Sequence, residues 1–183
     1  MAKQFDALSE DHIAFIEAQH MFFVGSAAPS GRVNVSPKGM DTLRVLGPNR
    51  IAFLNLTGSG NETAGHLLQD PRITLMWCGF EKRPLILRAY GTARMIQHSD
   101  PGWGEMLDLF PDLPGARQIC EIAVELVQNS CGYAVPYMEF AGERDTLRRW
   151  AETKGYDGLR AYWAEKNAAT LDGAPTGIEA DAT

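Results

Sequence analysis

The chain's rhythm constrains its fold more than any single motif. Short β-type runs follow one another with turns between them and too few residues for regular crossover helices. Met21–Val24 is aromatic and β-branched, Pro29-Ser30-Gly31 is turn chemistry, and Arg32–Ser36 alternates with period two. Together these predict a hairpin. Leu43–Leu46, Arg50–Leu56, Arg72–Cys78 and Pro84–Ile96 read as further strands, and Gly91 marks a bulge or bend in the last of them. Ile119–Val127 could be a buried strand or a helix by length, and Asn129-Ser130 and Gly132 at its end favour the strand. About six antiparallel strands with few helices predict a mainly β fold, a small closed or partly open barrel. The spacing disfavours a Rossmann arrangement.

The remaining segments are helical or loose. Ser9 suits an N-cap, with Glu10 and Asp11 in the first turn and Ile13 and Ile16 on one face. Asn61–Gln69 is a short helix stopped by Asp70-Pro71, and Trp103–Phe110 reads as another. Asp145–Asn167 is helical by composition with a break near Gly155. Beyond Asn167 the residues are small and polar, as in a loose tail or an arm on a partner. The division is therefore a barrel domain over residues 1–140 and a helical arm and tail over residues 141–183.

Composition removes several functions. Seventeen basic residues face 23 acidic ones, a formal net charge of -6. A dedicated nucleic-acid binder needs a basic surface to displace counterions. No stretch approaches the ~20 apolar residues of a membrane span, and Met1–Glu10 does not read as a signal peptide. Cys78, Cys120 and Cys131 are odd in number, far apart and without a C-x-x-C pair, as expected of buried or free thiols in the cytoplasm. The four histidines lack metal-ligand spacing.

Leu56-Thr57-Gly58-Ser59-Gly60-Asn61-Glu62-Thr63 leaves a strand, passes two glycines and enters a helix. Such a loop aims backbone N–H groups at an anion, with hydroxyls as further donors. It also matches a capping box, Ser59-x-x-Glu62, which needs no ligand. Glu62 puts a negative charge where a phosphate would sit. A second constellation is Asn34-Val35-Ser36-Pro37-Lys38-Gly39 with Arg44 after it. Alternation places Asn34, Ser36 and Lys38 on one face, and Lys38 and Arg44 offer positive charge to an anionic ring or phosphate; a solvated turn is the plainer reading. Arg88 interrupts an apolar strand and faces either a cavity or the barrel exterior. Cys131-Gly132-Tyr133 has no neighbouring histidine in sequence and reads as a turn with a buried thiol.

With FFVGSAAPSGRVNVSPKG, RIAFLNLTGSGNETAGHLLQDPRITLMW, PLILRAYGTA and QNSCGYAVP in this order, the chain resembles the pyridoxamine 5'-phosphate-oxidase-like FMN-binding split-barrel family. The resemblance implies a six-stranded antiparallel split barrel, with a C-terminal helical extension here. It also implies a homodimer with FMN in a cleft at the subunit interface. It assigns cofactor contacts to Thr57, Ser59, Asn61 and Thr63 in the phosphate loop. Ser36, Lys38 and Arg44 match the part that lines the flavin, and Arg88 lies on the later strand. The family's oxidase carries a serine-arginine-lysine run in this loop and a basic C-terminal segment. Here the loop reads Ser59-Gly60-Asn61-Glu62 and the chain ends in LDGAPTGIEADAT. Those departures point to a related FMN-dependent oxidoreductase of a small molecule rather than the oxidase itself, or to a non-catalytic protein that stores or senses flavin.

Overall fold

The computed structural model describes residues 2–179. Eight strands build one antiparallel sheet: β1 (Lys3–Phe5), β2 (Phe22–Ser26), β3 (Asn34–Lys38), β4 (Leu43–Gly47), β5 (Arg50–Leu56), β6 (Arg72–Cys78), β7 (Leu85–Ile96) and β8 (Ala116–Cys131). The order is β3-β2-β6-β7-β8-β5-β4, with β1 on the far end of β8. β5 and β6 match their sequence-derived bounds, β4 falls at the strand expected over Leu43–Leu46, and β1 is the strand the sequence did not announce.

Alternating side chains explain the barrel interior. Val24, Ile51, Phe53, Leu75, Trp77, Leu87, Ile122 and Val127 point inward and are fully or almost fully buried. Each such side chain contributes about 1.5–3 kcal/mol relative to exposure. β7 and β8 are the longest strands and pair along nearly their whole length, with a register shift at Tyr90/Gly91. A Cβ on Gly91 would overlap the Ala123 carbonyl oxygen, so the strand can bend there only as glycine.

β3 runs two residues later than the alternation predicts. It is an edge strand, which tolerates the missing N–H of Pro37. Arg32, assigned to the strand from sequence, lies outside it and pairs with Asp172. β8 begins three residues earlier and ends four later than expected, because Arg117, Gln118, Gln128 and Asn129 break its apolar pattern; Gln118, Gln128 and Asn129 still pair, while Arg117 sits at the register shift between Gln118 and Ala116.

Helix α1 (Glu10–Glu17) starts at Ser9 as expected. Its Oγ accepts from the His12 N–H, and His12 Nδ1 accepts from the Ser9 N–H, both at 3.2 Å. An accepting Nδ1 requires the neutral ring, and burial lowers the His12 pKa accordingly. The other helices are α2 (Glu62–Leu67), α3 (Trp103–Leu107) and α4 (Thr146–Tyr162), and a π-helical turn (Trp163–Asn167) continues α4. Gly155 interrupts α4 at φ 65°, where the sequence placed the break. Among the described residues no helix is long and apolar enough to cross a membrane.

The segment after Asn167 is not loose. Residues 168–176 form a tight turn closed by Thr170 N–H to Ala174 O and Thr176 N–H to Ala168 O. That turn lies against α2 of its own chain, where a Cβ on Gly65 would overlap Thr170 Cγ2. The expectation of a loose tail is corrected over residues 168–179; residues 180–183 lie outside the described part.

Candidate functional site

The two end strands of the sheet, β3 and β4, do not pair with each other. Lys38, at the end of β3, reaches across this split, and its Nζ donates to Asn55 Oδ1 on β5 at 3.2 Å. Beside this bridge opens a cleft of about 730 Å³, within the usual range of about 300–1,000 Å³ for small-molecule sites. β3, the 57–63 loop, the start of β8 and the C-terminal arm form its walls.

Six of the eight residues singled out from sequence line this cleft: Ser36, Lys38, Thr57, Ser59, Asn61 and Thr63. Their roles divide. Thr57 is buried; its hydroxyl donates to Gly115 O and accepts from Trp163 Nε1, both at 2.8 Å, so it pins the loop. Asn61 is locked in a buried amide network: its Oδ1 accepts from Asn55 Nδ2 and its Nδ2 donates to Gln118 Oε1. Thr63 Oγ1 accepts from Ser26 and Asn34, while Ser36 accepts from Asn34. Ser59 is exposed at the tip. Among the described residues the amides of Gly58, Ser59 and Gly60 have no protein acceptor.

Two expected residues lie elsewhere. Arg44 turns away onto Asp41 and the Leu109 carbonyl and stacks on Phe110, because Met40 and Asp41 adopt positive φ and fold the β3–β4 connection back on it. Arg88, central in the sheet opposite Met76 and Gln128, donates to Ser130 Oγ. Neither lines the cleft.

The capping box is also corrected. Asn61 occupies the N-cap of α2 without a side-chain cap bond. Glu62 does not reach back to Ser59; both its oxygens accept from the Leu171 N–H at 3.1 Å. Its charge is thereby engaged by the arm. Cys131, expected buried, is exposed.

Sequence reasoning missed Arg117, which supplies the basic group the loop lacks. It lies at the start of β8, is 4% exposed and faces the cleft. One terminal nitrogen donates to Asn167 Oδ1 at 2.7 Å and the other to Gly60 O at 2.9 Å. Its Nε, buried, has no acceptor among the described residues. The register shift at Arg117, between Gln118 and Ala116, interrupts the alternation that would have announced it. Lys38 and Arg117 take part in no ion pair among the described residues. Desolvation, with the Arg117 charge adding, lowers the Lys38 pKa to about 8. Desolvation lowers Arg117 to about 10, which still leaves it charged at neutral pH. Two desolvated cations without an ion-pair partner, beside three amides without a protein acceptor, give the cleft a positive character among the described residues.

A split antiparallel barrel with an anion-seeking cleft beside the split is the class these features define. Residues 8–131 match the family model described as pyridoxamine 5'-phosphate oxidase. A pyridoxamine 5'-phosphate oxidase family protein of Aspergillus flavus, ustO, is 33% identical over 189 residues, covering 93% of this chain and 76% of that protein. The chain belongs to the pyridoxamine 5'-phosphate oxidase family. Its fold is similar to that of a candidate pyridoxamine 5'-phosphate oxidase of Lactobacillus delbrueckii, with a TM-score of 0.54 and 18% identity over 67% of this chain and 94% of that one. A Clostridium acetobutylicum protein related to general stress protein 26 shares the fold with a TM-score of 0.53 and 15% identity, over 75% of this chain and 94% of that one.

Proposed function

We propose that the cleft binds FMN and that the protein is an FMN-dependent oxidoreductase acting on a small molecule. The observation that carries this reading is Arg117: a buried guanidinium beside the phosphate loop, with an N–H left unpaired and no carboxylate to neutralise it. A phosphate dianion fits that donor set, and Ser59 with the Gly58–Gly60 amides completes it. Lys38, across the cleft, supplies positive charge to the same ligand. Bound flavin would bring the electron-transfer chemistry; the chain's own residues hold, orient and electrostatically tune it.

The exposed apolar side chains of Val33, just before edge strand β3, and Val35, on it, support a homodimer that covers them. Sedimentation of the purified protein tests this, with a dimer expected. The visible spectrum of freshly purified protein, followed by FMN titration, tests the cofactor: a flavin spectrum or saturable FMN binding is expected, and colourless protein that ignores FMN contradicts it.

A flavin store or sensor is the second reading. Glu62, the carboxylate lining the cleft, is committed to Leu171, which leaves no obvious general acid or base. Bound flavin that NADH and NADPH fail to reduce would favour this reading over the enzyme.

A further inference from the structure

The region that matches the family ends at residue 131, yet the phosphate loop is held by residues beyond it. The π-helical turn Trp163–Asn167 is the contact. Trp163 Nε1 donates to Thr57 Oγ1 at 2.8 Å, and Asn167 Nδ2 donates to Gly58 O at 3.0 Å. Asn167 Oδ1 accepts from Arg117, and the Asn167 carbonyl accepts from Thr176 Oγ1. Asn167 is fully buried, and both ends of its amide are used. It therefore ties the guanidinium from β8 to a carbonyl of a loop that has no basic side chain of its own.

We propose that Asn167 is a positioning residue that fixes the Arg117 guanidinium at the phosphate end of the cleft, so that recognition of the ligand's phosphate depends on the C-terminal arm. This rests on the FMN reading above. A neutral amide suits the task. It accepts from Arg117 without cancelling its charge, whereas a carboxylate there would form an ion pair and satisfy the guanidinium internally. Its other end donates to Gly58 O, so a single side chain sets the distance between guanidinium and loop. Arg117 has five N–H donors and spends two on protein acceptors; the rest stay directed by this clamp.

Comparing FMN with riboflavin, which lacks the phosphate, provides the test. Full-length wild type, Asn167→Ala, Asn167→Asp, Arg117→Met and the Asn167→Ala/Arg117→Met double variant are titrated with both flavins. The preference for FMN should fall about tenfold in Asn167→Ala, the worth of one well-placed hydrogen bond to a charged group, and further in Asn167→Asp. Riboflavin affinity should stay at the wild-type value in both. In the Arg117→Met background, Asn167→Ala should cost the FMN preference nothing more. Equal losses of FMN and riboflavin affinity, or an additive double variant, would show a merely structural role and overturn the proposal. Wild type that binds both flavins equally would overturn it while leaving flavin binding intact, and wild type that binds neither would sink the FMN reading itself. The ¹⁵N signal of Arg117 Nε provides an independent readout. It should shift on adding inorganic phosphate to wild type but not to Asn167→Ala, and a matching shift in both contradicts the clamp.

Discussion

The two walls of the cleft are built in different ways. On one side, β3 presents Asn34, Ser36 and Lys38 by simple alternation, with neighbours two residues apart in sequence. On the other, Arg117 from β8, Gly60 from the loop and Asn167 from the arm meet through side-chain hydrogen bonds spanning 50 and 57 residues. The first wall needs only a strand in register. The second needs three separate segments to arrive together, and so a single substitution can break it more completely.

The largest effect should come from Arg117→Met. It keeps an apolar stem of similar length but removes the guanidinium and strands Asn167 Oδ1 and Gly60 O. FMN affinity should fall about a hundredfold or more, the sum of two charge-assisted hydrogen bonds, as measured by flavin-fluorescence titration. Lys38→Met should cost roughly tenfold in FMN affinity, since Lys38 acts as a point charge rather than a fork.

Lys38 also predicts a pH dependence. It titrates near 8 in the free protein, and a bound anion favours its charged form. FMN affinity should hold below pH 8, fall as pH rises through it, and lose this dependence in Lys38→Met. The folded value is lowered from 10.5 to about 8, so the unfolded chain binds more protons between those limits. Stability without ligand should therefore rise with pH across that window, and Lys38→Met should raise the melting temperature at pH 7. A lower melting temperature would contradict the picture of an unpaired, desolvated ammonium.

Gly65→Ala tests the arm. The overlap with Thr170 should push the 168–176 turn off α2 and cost about 1–3 kcal/mol, read by thermal unfolding. The smallest effects belong to the two arginines outside the cleft: Arg44→Ala and Arg88→Ala should leave FMN affinity within twofold of wild type.

The same contrast explains what could be read from sequence. The strand rhythm carries the barrel because alternation and turn chemistry are local: Arg50–Leu56, Arg72–Cys78 and the Gly91 bend all appear where residue type alone placed them. The Lys38 wall was legible for the same reason. Arg117 was not, because it falls at a register shift ahead of the apolar run that announces β8, and its meaning depends on a loop and an arm distant in sequence. Glu62 misled in the opposite direction. The spacing from Ser59 fits a capping box, but the arm offers the Leu171 N–H instead. Arg44 carried the right charge on the wrong side of a backbone turn set by Met40 and Asp41.

In the proposed reading, half-buried Lys38 and buried Arg117, neither in an ion pair among the described residues, make this a phosphate site. The most direct measurement of this is the ratio of riboflavin to FMN dissociation constants for the wild-type protein at pH 7. FMN should bind about a hundredfold tighter than riboflavin. Equal affinity for the two flavins, or none for either, would contradict it.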